Sequence, residues 1–438
     1  MQVYSAEWVL PVAGAPIANG AVAVEDGLVT AVGTQDELGR GEHFGAAAIF
    51  PGFVNAHTHL EYAAYAGFGD TTSFGPWLAT HVERKARIGF DEMCDVARWG
   101  AAQSLASGVT TVGDASFAGA AAVACTDLGL RGIVYLEVFG SDPDGAVRQF
   151  ENTRARVDGL VGPLVSLGVS PHAPYSTSPE VYREAVRMNL PLMTHLNESQ
   201  DELDYLLRGE GPMSAASHVL IPPIGETGIV RLARDGLLGP NWVAAHCVKV
   251  SGEEIGLLRE ADVAVAHCPR SNGFLGCGFA PLAAFRAAGL RVGIGTDGVS
   301  STPSPDLFDE LRAVAVVARA REERAAALTG AELLELATLG SARALGLDAV
   351  IGSLEAGKRA DLAVVGLEGS GYHPVEDPAA AVVFGGAPER VLLTVVDGEE
   401  RYRKGTTDWH GLRSAASSAR SRLLGLSGAA TARSSPRS

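Results

Sequence analysis

Basic residues are scarce in this chain: 35 lysines and arginines stand against 51 aspartates and glutamates, for a net charge of −16. Lys85, Lys249, Lys358 and Lys404 are the only lysines, and no basic stripe forms. This balance argues against nucleic acid or an anionic membrane surface as partner. No apolar window approaches the length needed to span a bilayer. The first residues lack a basic segment followed by an apolar stretch, so neither export nor membrane insertion is expected. Cysteine is sparse and odd in number, with 5 residues in no framework spacing, which points to a reduced, cytoplasmic compartment. Charged residues make up only 20% against 47% hydrophobic, and with 53 glycines this suggests a soluble globular chain of closely packed helices and many short connections.

What is present falls into two patterns. Residues 1–50 alternate short β-prone runs with turns such as Glu25-Asp26-Gly27, and the same signature returns around Gly357–Val365 and Val391–Gly398. The two ends therefore read as one small composite β-sandwich domain, 1–50 plus 350–408, because neither alone has enough apolar surface to bury. Between them, over 51–349, helical stretches alternate with about eight short apolar strands, the pattern of a (β/α)8 TIM barrel. A doubly wound open sheet is the runner-up, but its glycine fingerprint is missing after the early strands. From 409 to 438 the chain turns rich in Ala, Ser and Arg and reads as a mostly disordered tail, with a short helix on the β-domain as the alternative.

The chemistry-bearing residues lie at the strand ends. The apolar run Phe53-Val54-Asn55-Ala56 ends in His57 and His59, which an extended strand presents on one face. His172, His195, His246, His267 and Asp297 each follow a later apolar run in the same way. The C-terminal strand ends are where such barrels build their active sites.

Pro51-Gly52-Phe53-Val54-Asn55-Ala56-His57-Thr58-His59, Thr194-His195-Leu196-Asn197-Glu198, Ala245-His246-Cys247, His267-Cys268-Pro269-Arg270-Ser271-Asn272 and Gly295-Thr296-Asp297-Gly298 together resemble the amidohydrolase superfamily. Within it they are similar to the aminohydrolase and chlorohydrolase (ATZ/TRZ-like) branch, which includes guanine, cytosine, methylthioadenosine/adenosylhomocysteine and aminodeoxyfutalosine deaminases. The resemblance implies that His57, His59, His195 and Asp297 hold one divalent metal, most often zinc and occasionally iron. Such a donor set leaves a position for a water whose pKa the metal lowers toward about 7. It also implies that Glu198 shuttles protons and that His246 hydrogen-bonds the attacking water or the developing tetrahedral centre, with Asp297 the third catalytic group. Asp201 and Glu202, beside Glu198, read as solvated surface acids. No lysine lies near the fourth strand to bridge a second metal, so a single-metal site is expected.

Substrate contacts are read more loosely. Glu61 resembles a position that faces substrate, or it is a helix N-terminal acid. His172 recurs in the family as a substrate contact. Trp77, with Phe74 in a glycine-containing loop, either stacks on a flat base or packs a lid. Ser300 either touches substrate or, with Ser301, caps the next helix. His-Thr-His-Leu-Glu, Phe74-Gly75-Pro76-Trp77-Leu78 and the run after His195 most resemble aminodeoxyfutalosine deaminases of menaquinone biosynthesis, which remove the 6-amino group of an adenine-like base. Methylthioadenosine/adenosylhomocysteine deaminase is the nearest alternative, then guanine or s-triazine hydrolases. A catalytically dead scaffold relative is the remote one, since all four ligands and Glu198 are present. The expected partners are a small heterocyclic substrate, water and, by resemblance, a second copy in a homodimer.

Overall fold

The computed structural model describes residues 1–426. Two eight-stranded sheets organise them. One is built from both ends of the chain, in the order Glu399–Arg403, Val391–Val396, Leu362–Gly366, Ala47–Pro51, Gln2–Val9, Ile17–Glu25 and Leu28–Thr34, with the short strand Glu42–His43 also on Gln2–Val9. Apolar residues from both halves, among them Tyr4, Val22, Ile49, Leu362 and Leu393, pack into one buried cluster. Hairpins from opposite ends abut there. Asp26-Gly27 and Asp397-Gly398 have positive φ at both positions, the conformation of a tight two-residue turn. A Cβ on Gly398 would stand 2.7 Å from the Gly27 Cα, so a side chain has no room.

The other sheet is the barrel. Its strands are Phe53–Thr58, Val109–Ser116, Arg131–Val138, Val165–Pro171, Leu192–Leu196, Trp242–His246, Ala264–His267 and Val292–Ile294, each parallel to its neighbours in sequence order. A bridge from Thr58 to Asp297 closes the ring. Helices cover the outside, so the strands are buried on both faces and read as nearly continuous apolar runs. Val54, Ala115, Tyr135, Met193 and Ala266 belong to the cluster that fills the interior.

An ion-pair network joins the two parts. The Arg131 guanidinium, on the third barrel strand, grips Asp361 at 2.7 and 3.0 Å and Asp397 at 3.1 Å, and Arg359 also pairs with Asp397. Asp361 is buried, so truncating Arg131 would leave a carboxylate without its counter-charge.

The structure departs from the expected tail over His410–Leu423, which forms a helix. Ala416, Ala419 and Leu423 recur at helical spacing and make a narrow face, which packs on the barrel helix Phe90–Ala106 rather than on the β-domain. Arg420 donates to the carbonyls of Ala64 (2.6 Å) and Ala66 (2.8 Å), just beyond His57 and His59. Residues 427–438 of the expected tail lie outside the described residues.

Candidate active site

The first and eighth strands meet through glycine. A Cβ on Gly295 would lie 2.8 Å from the His57 carbonyl, so the close approach needs its absence. The Asp297 N–H then donates to the His57 carbonyl at 3.0 Å, which fixes Asp297 beside the two histidines. Asn55 secures the same joint, accepting from Thr296 N at 3.1 Å and donating to Thr296 Oγ1 at 2.8 Å. Asn197, His246, Cys247 and Asp297 all have positive φ. Strained backbone of this kind clusters where geometry is over-determined.

Three imidazoles turn the same ring nitrogen inward. His59 Nδ1 donates to the Ala115 carbonyl (2.7 Å) and His195 Nδ1 to the His172 carbonyl (2.8 Å), while His57 Nδ1 meets the Met193 thioether at 3.1 Å. The Nε2 atoms are left to converge with Asp297 Oδ1, which lies 3.5 Å from His57 Nε2 and 3.4 Å from His59 Nε2. His195 Nε2 is 3.3 Å from His59 Nε2. The other Asp297 oxygen, Oδ2, accepts from Ser271 Oγ at 2.6 Å and Ser301 Oγ at 2.7 Å. His57 Nε2 is buried with no hydrogen-bond partner. Such an orphan, facing other nitrogen lone pairs and one carboxylate oxygen, fits a divalent cation. Burial, with the neighbouring imidazoles, holds His59 well below its ordinary value and His195 near about 4. Burial also opposes ionisation of Asp297, but the adjacent His57 and the imidazoles of His246 and His59 hold its carboxyl well below the usual range.

Glu198 stands across the site from these donors. Burial, with Asp297 and Glu202 nearby, raises its carboxyl well above the ordinary value. Its Oε2 is 3.6 Å from His246 Nε2, and the His246 Nδ1 lies 3.0 Å from the Asn272 amide nitrogen. Glu202 is not the solvated acid expected. It is fully buried and accepts from the backbone N–H of Glu198 (2.7 Å) and Asn197 (3.1 Å), so it holds the loop that carries Glu198. Ser199-x-x-Glu202 is the sequence signal for this role: Ser199 caps the helix Gln200–Arg208, accepting from Glu202 N at 3.0 Å.

A cavity of about 1080 Å³ opens over the site. His59, His195, Glu198, His246 and Asp297 form part of its lining, as do three expected substrate contacts, His172, Trp77 and Ser300. His172 Nδ1 pairs with Ser176 Oγ at 2.7 Å. Trp77 does not lie in a loop: it belongs to the helix Phe74–Lys85, whose early Gly75 and Pro76 are tolerated because first-turn N–H groups need no intrahelical partner. Its indole N–H donates to the Ser300 carbonyl at 3.2 Å, and Gly75 N–H donates to Asp201 at 3.1 Å. Those contacts tie the helix to the loop after the eighth strand and to the first turn of the helix Gln200–Arg208.

Glu61 is a correction. Its carboxylate accepts from Ser116 Oγ (2.5 Å) and from the N–H groups of Phe117 (2.9 Å), Ala118 (3.1 Å) and Ala120 (2.8 Å). Fully buried and saturated at the start of the helix Ala120–Leu128, it is absent from the cavity lining. Its geometry is that of the helix N-terminal acid. His267 ends the seventh strand but lines a separate, smaller cavity between helices.

Glu137 and Lys85 are among the cavity residues not singled out in the sequence. Glu137 closes the third strand, where the strand-end rule that found the histidines applies equally. Lys85 ends the helix Phe74–Lys85, and its Nζ sits 3.6 Å from the Phe117 ring centroid and 5.8 Å from that of Phe139.

With this geometry in hand, comparison with known proteins is specific. The Amidohydrolase family model matches residues 48–401. A 5-methylthioadenosine/S-adenosylhomocysteine deaminase of Symbiobacterium thermophilum is 33% identical over 400 residues, covering 88% of this chain and 89% of the relative. A zinc-containing adenosine deaminase of Xanthomonas campestris superposes with a TM-score of 0.86 at 29% identity, covering 97% of this chain and 98% of that one. The atrazine chlorohydrolase of Arthrobacter aurescens TC1, at 24% identity and a TM-score of 0.82, covering 96% of this chain and 100% of that one, shares the fold.

Proposed function

The chain belongs to the amidohydrolase family and is a hydrolase of carbon–nitrogen bonds, and from that premise we propose that it removes the 6-amino group of an adenine nucleoside, with aminodeoxyfutalosine its substrate. His57, His59, His195 and Asp297 would hold the metal, zinc by analogy with the Xanthomonas structure. When bound, it supplies a Lewis acid that brings the pKa of a water toward about 7.

The protein's own groups do the rest. Glu198 takes a proton from the attacking water and delivers protons to the purine ring and to the leaving ammonia. His246 Nε2 faces the same space and stabilises the oxygen that develops at C6. Glu202, through the backbone of Asn197 and Glu198, keeps the shuttle in reach of both. The net change is C6–NH2 plus water to C6=O plus ammonia.

One observation carries the choice of aminodeoxyfutalosine. The cavity lining also includes Phe90, Phe117 and Phe139 and two cations, Lys85 over the Phe117 ring and Arg156 over the Phe90 ring, which form no ion pair among the described residues. Aromatic walls with a cation over each of two rings suit a nucleoside whose 5′ side ends in an aryl carboxylate. The second reading, methylthioadenosine/adenosylhomocysteine deaminase, is favoured by the Symbiobacterium relative. Ammonia release by the zinc-loaded protein against aminodeoxyfutalosine, methylthioadenosine, adenosylhomocysteine, adenosine, guanine and cytosine separates the two. A preference for methylthioadenosine would overturn the first.

Replacing Lys85 with Met is expected to lower kcat/KM for aminodeoxyfutalosine by about 10- to 100-fold, the worth of a charge-assisted hydrogen bond. Turnover of methylthioadenosine, which has no carboxylate, stays near wild type. Equal losses on both substrates would count against the anion subsite.

The pH profile gives an independent check. A shuttle must be ionised to accept a proton, and burial raises Glu198 above the ordinary carboxylate value. Activity is therefore lost as pH falls through that raised value. The acid limb of kcat/KM should lie well above the 4.5 of an ordinary glutamate. A limb at the ordinary value would show that Glu198 is not the group being titrated.

A further inference from the structure

Buried carboxylates in this protein are almost all engaged. Glu61 and Glu202 accept from backbone N–H groups, Glu310 from Arg270, and Asp297 from two serines. Glu137 is the exception that the mechanism leaves unused. It is 4% exposed and lines the cavity, yet its carboxylate makes no hydrogen bond or ion pair among the described residues. It stands next to the reacting end, with a carboxylate oxygen within 4.8 Å of ring nitrogens of both His172 and His195. A ligand held at the metal cage therefore reaches it.

An ionised carboxylate can only accept hydrogen bonds. The adenine ring offers acceptors at N1, N3 and N7, and its one donor, the 6-amino group, must face Glu198 and the metal ligands for the reaction to occur. Lys85, in the same cavity, favours the ionised form of Glu137 without making a hydrogen bond or ion pair to it, so the substrate donors left for Glu137 are hydroxyl groups, which in a nucleoside belong to the sugar. Leaving such a carboxylate desolvated without a donor costs affinity, so a ligand lacking the hydroxyls is rejected.

We propose that Glu137 reads the sugar of the substrate, accepting from its 2′- or 3′-hydroxyl, so that the site takes adenine ribosides and discriminates against their deoxy analogues. This rests on the adenine-nucleoside reading above. Glu137 is thus a specificity residue for the reaction.

The test is a cycle between enzyme and substrate. Ammonia release is measured for wild type and Glu137→Gln, each zinc-loaded, with one adenine nucleoside and its 2′-deoxy, 3′-deoxy and 2′,3′-dideoxy forms. For wild type, loss of the recognised hydroxyl should raise KM by about 10- to 100-fold. For Glu137→Gln the same loss should cost almost nothing more, because the two changes remove one interaction. Zinc content should be the same in both proteins. Penalties that simply add, or a wild type indifferent to the hydroxyls, would overturn the proposal, as a protonated Glu137 donating to N3 or N7 would predict. Loss of zinc in the variant would overturn it too, making Glu137 a cation ligand. Should the variant not fold, the wild-type series decides alone. Turnover with indifference to the sugar sinks only this proposal, whereas no turnover of any adenine nucleoside sinks the underlying reading and this proposal with it.

Discussion

Replacing Glu198 with Gln is expected to leave zinc bound and to lower kcat by about 10⁴-fold, the upper end of what a positioned acid–base group contributes. The upper end is expected because one carboxyl serves both proton transfers, taking a proton from water and delivering it to ring and leaving group. The amide matches the carboxylate in shape and is no metal ligand here, so the cage of His57, His59, His195 and Asp297 keeps its geometry. The backbone that carries residue 198 is held by Glu202 through the N–H of Asn197 and Glu198, and does not depend on the 198 side chain. Metal analysis and steady-state ammonia release on one preparation decide the matter. Near wild-type turnover would remove Glu198 from the mechanism. Lost zinc would instead make it a ligand.

A Glu202→Ala protein provides the contrast. There the carboxyl of Glu198 is intact but the N–H groups of Asn197 and Glu198 lose their acceptor, so the rate should fall without the shuttle being removed. The acid limb of the pH profile should also move, because Glu202 is among the negative neighbours that raise Glu198.

How much of this could be read from sequence follows from what each feature depends on. The barrel strands were legible because parallel strands buried on both faces write themselves as short apolar runs. The convergence of His57, His59, His195 and Asp297 was legible because they occupy one repeated position, the end of such a run, and two of them, His57 and His59, share a strand face. Glu202 was misread because its burial depends on the path of Asn197 and Glu198, which local polarity does not report. The helix Phe74–Lys85 was obscured by Gly75 and Pro76 in its first turn, and the helix His410–Leu423 by a composition that looks unstructured until Ala416, Ala419 and Leu423 are lined up on one face. Glu61 shows the limit most directly. Only the fold places Ser116 and the N–H groups of Phe117, Ala118 and Ala120 around it. The cavity wall was the least legible part, since contacts such as Trp77 to Ser300 join segments more than 200 residues apart.

Asp297→Ala should cost both metal and activity, and the reason lies in how its two oxygens are divided. Oδ1 faces the imidazoles, while Oδ2 is fixed by Ser271 and Ser301. The serines orient the ligand, so Ser271→Ala or Ser301→Ala should weaken zinc affinity by about 10- to 100-fold, the usual cost of losing an outer partner. Removing Asp297 itself takes away the one anionic donor and leaves three neutral imidazoles, so the loss must exceed that of either serine variant. Zinc titration against a competing chelator measures it directly. The rise in Tm on adding zinc, present in wild type, should shrink with the logarithm of the lost affinity. Asp297→Asn separates charge from shape, since it keeps the volume between the two serines but not the negative charge. If Asp297→Ala retained stoichiometric zinc with wild-type affinity, the ligand set would be wrong. His246, whose ring nitrogen lies within 4.8 Å of ligand atoms of His57 and Asp297, would be the donor to examine in its place.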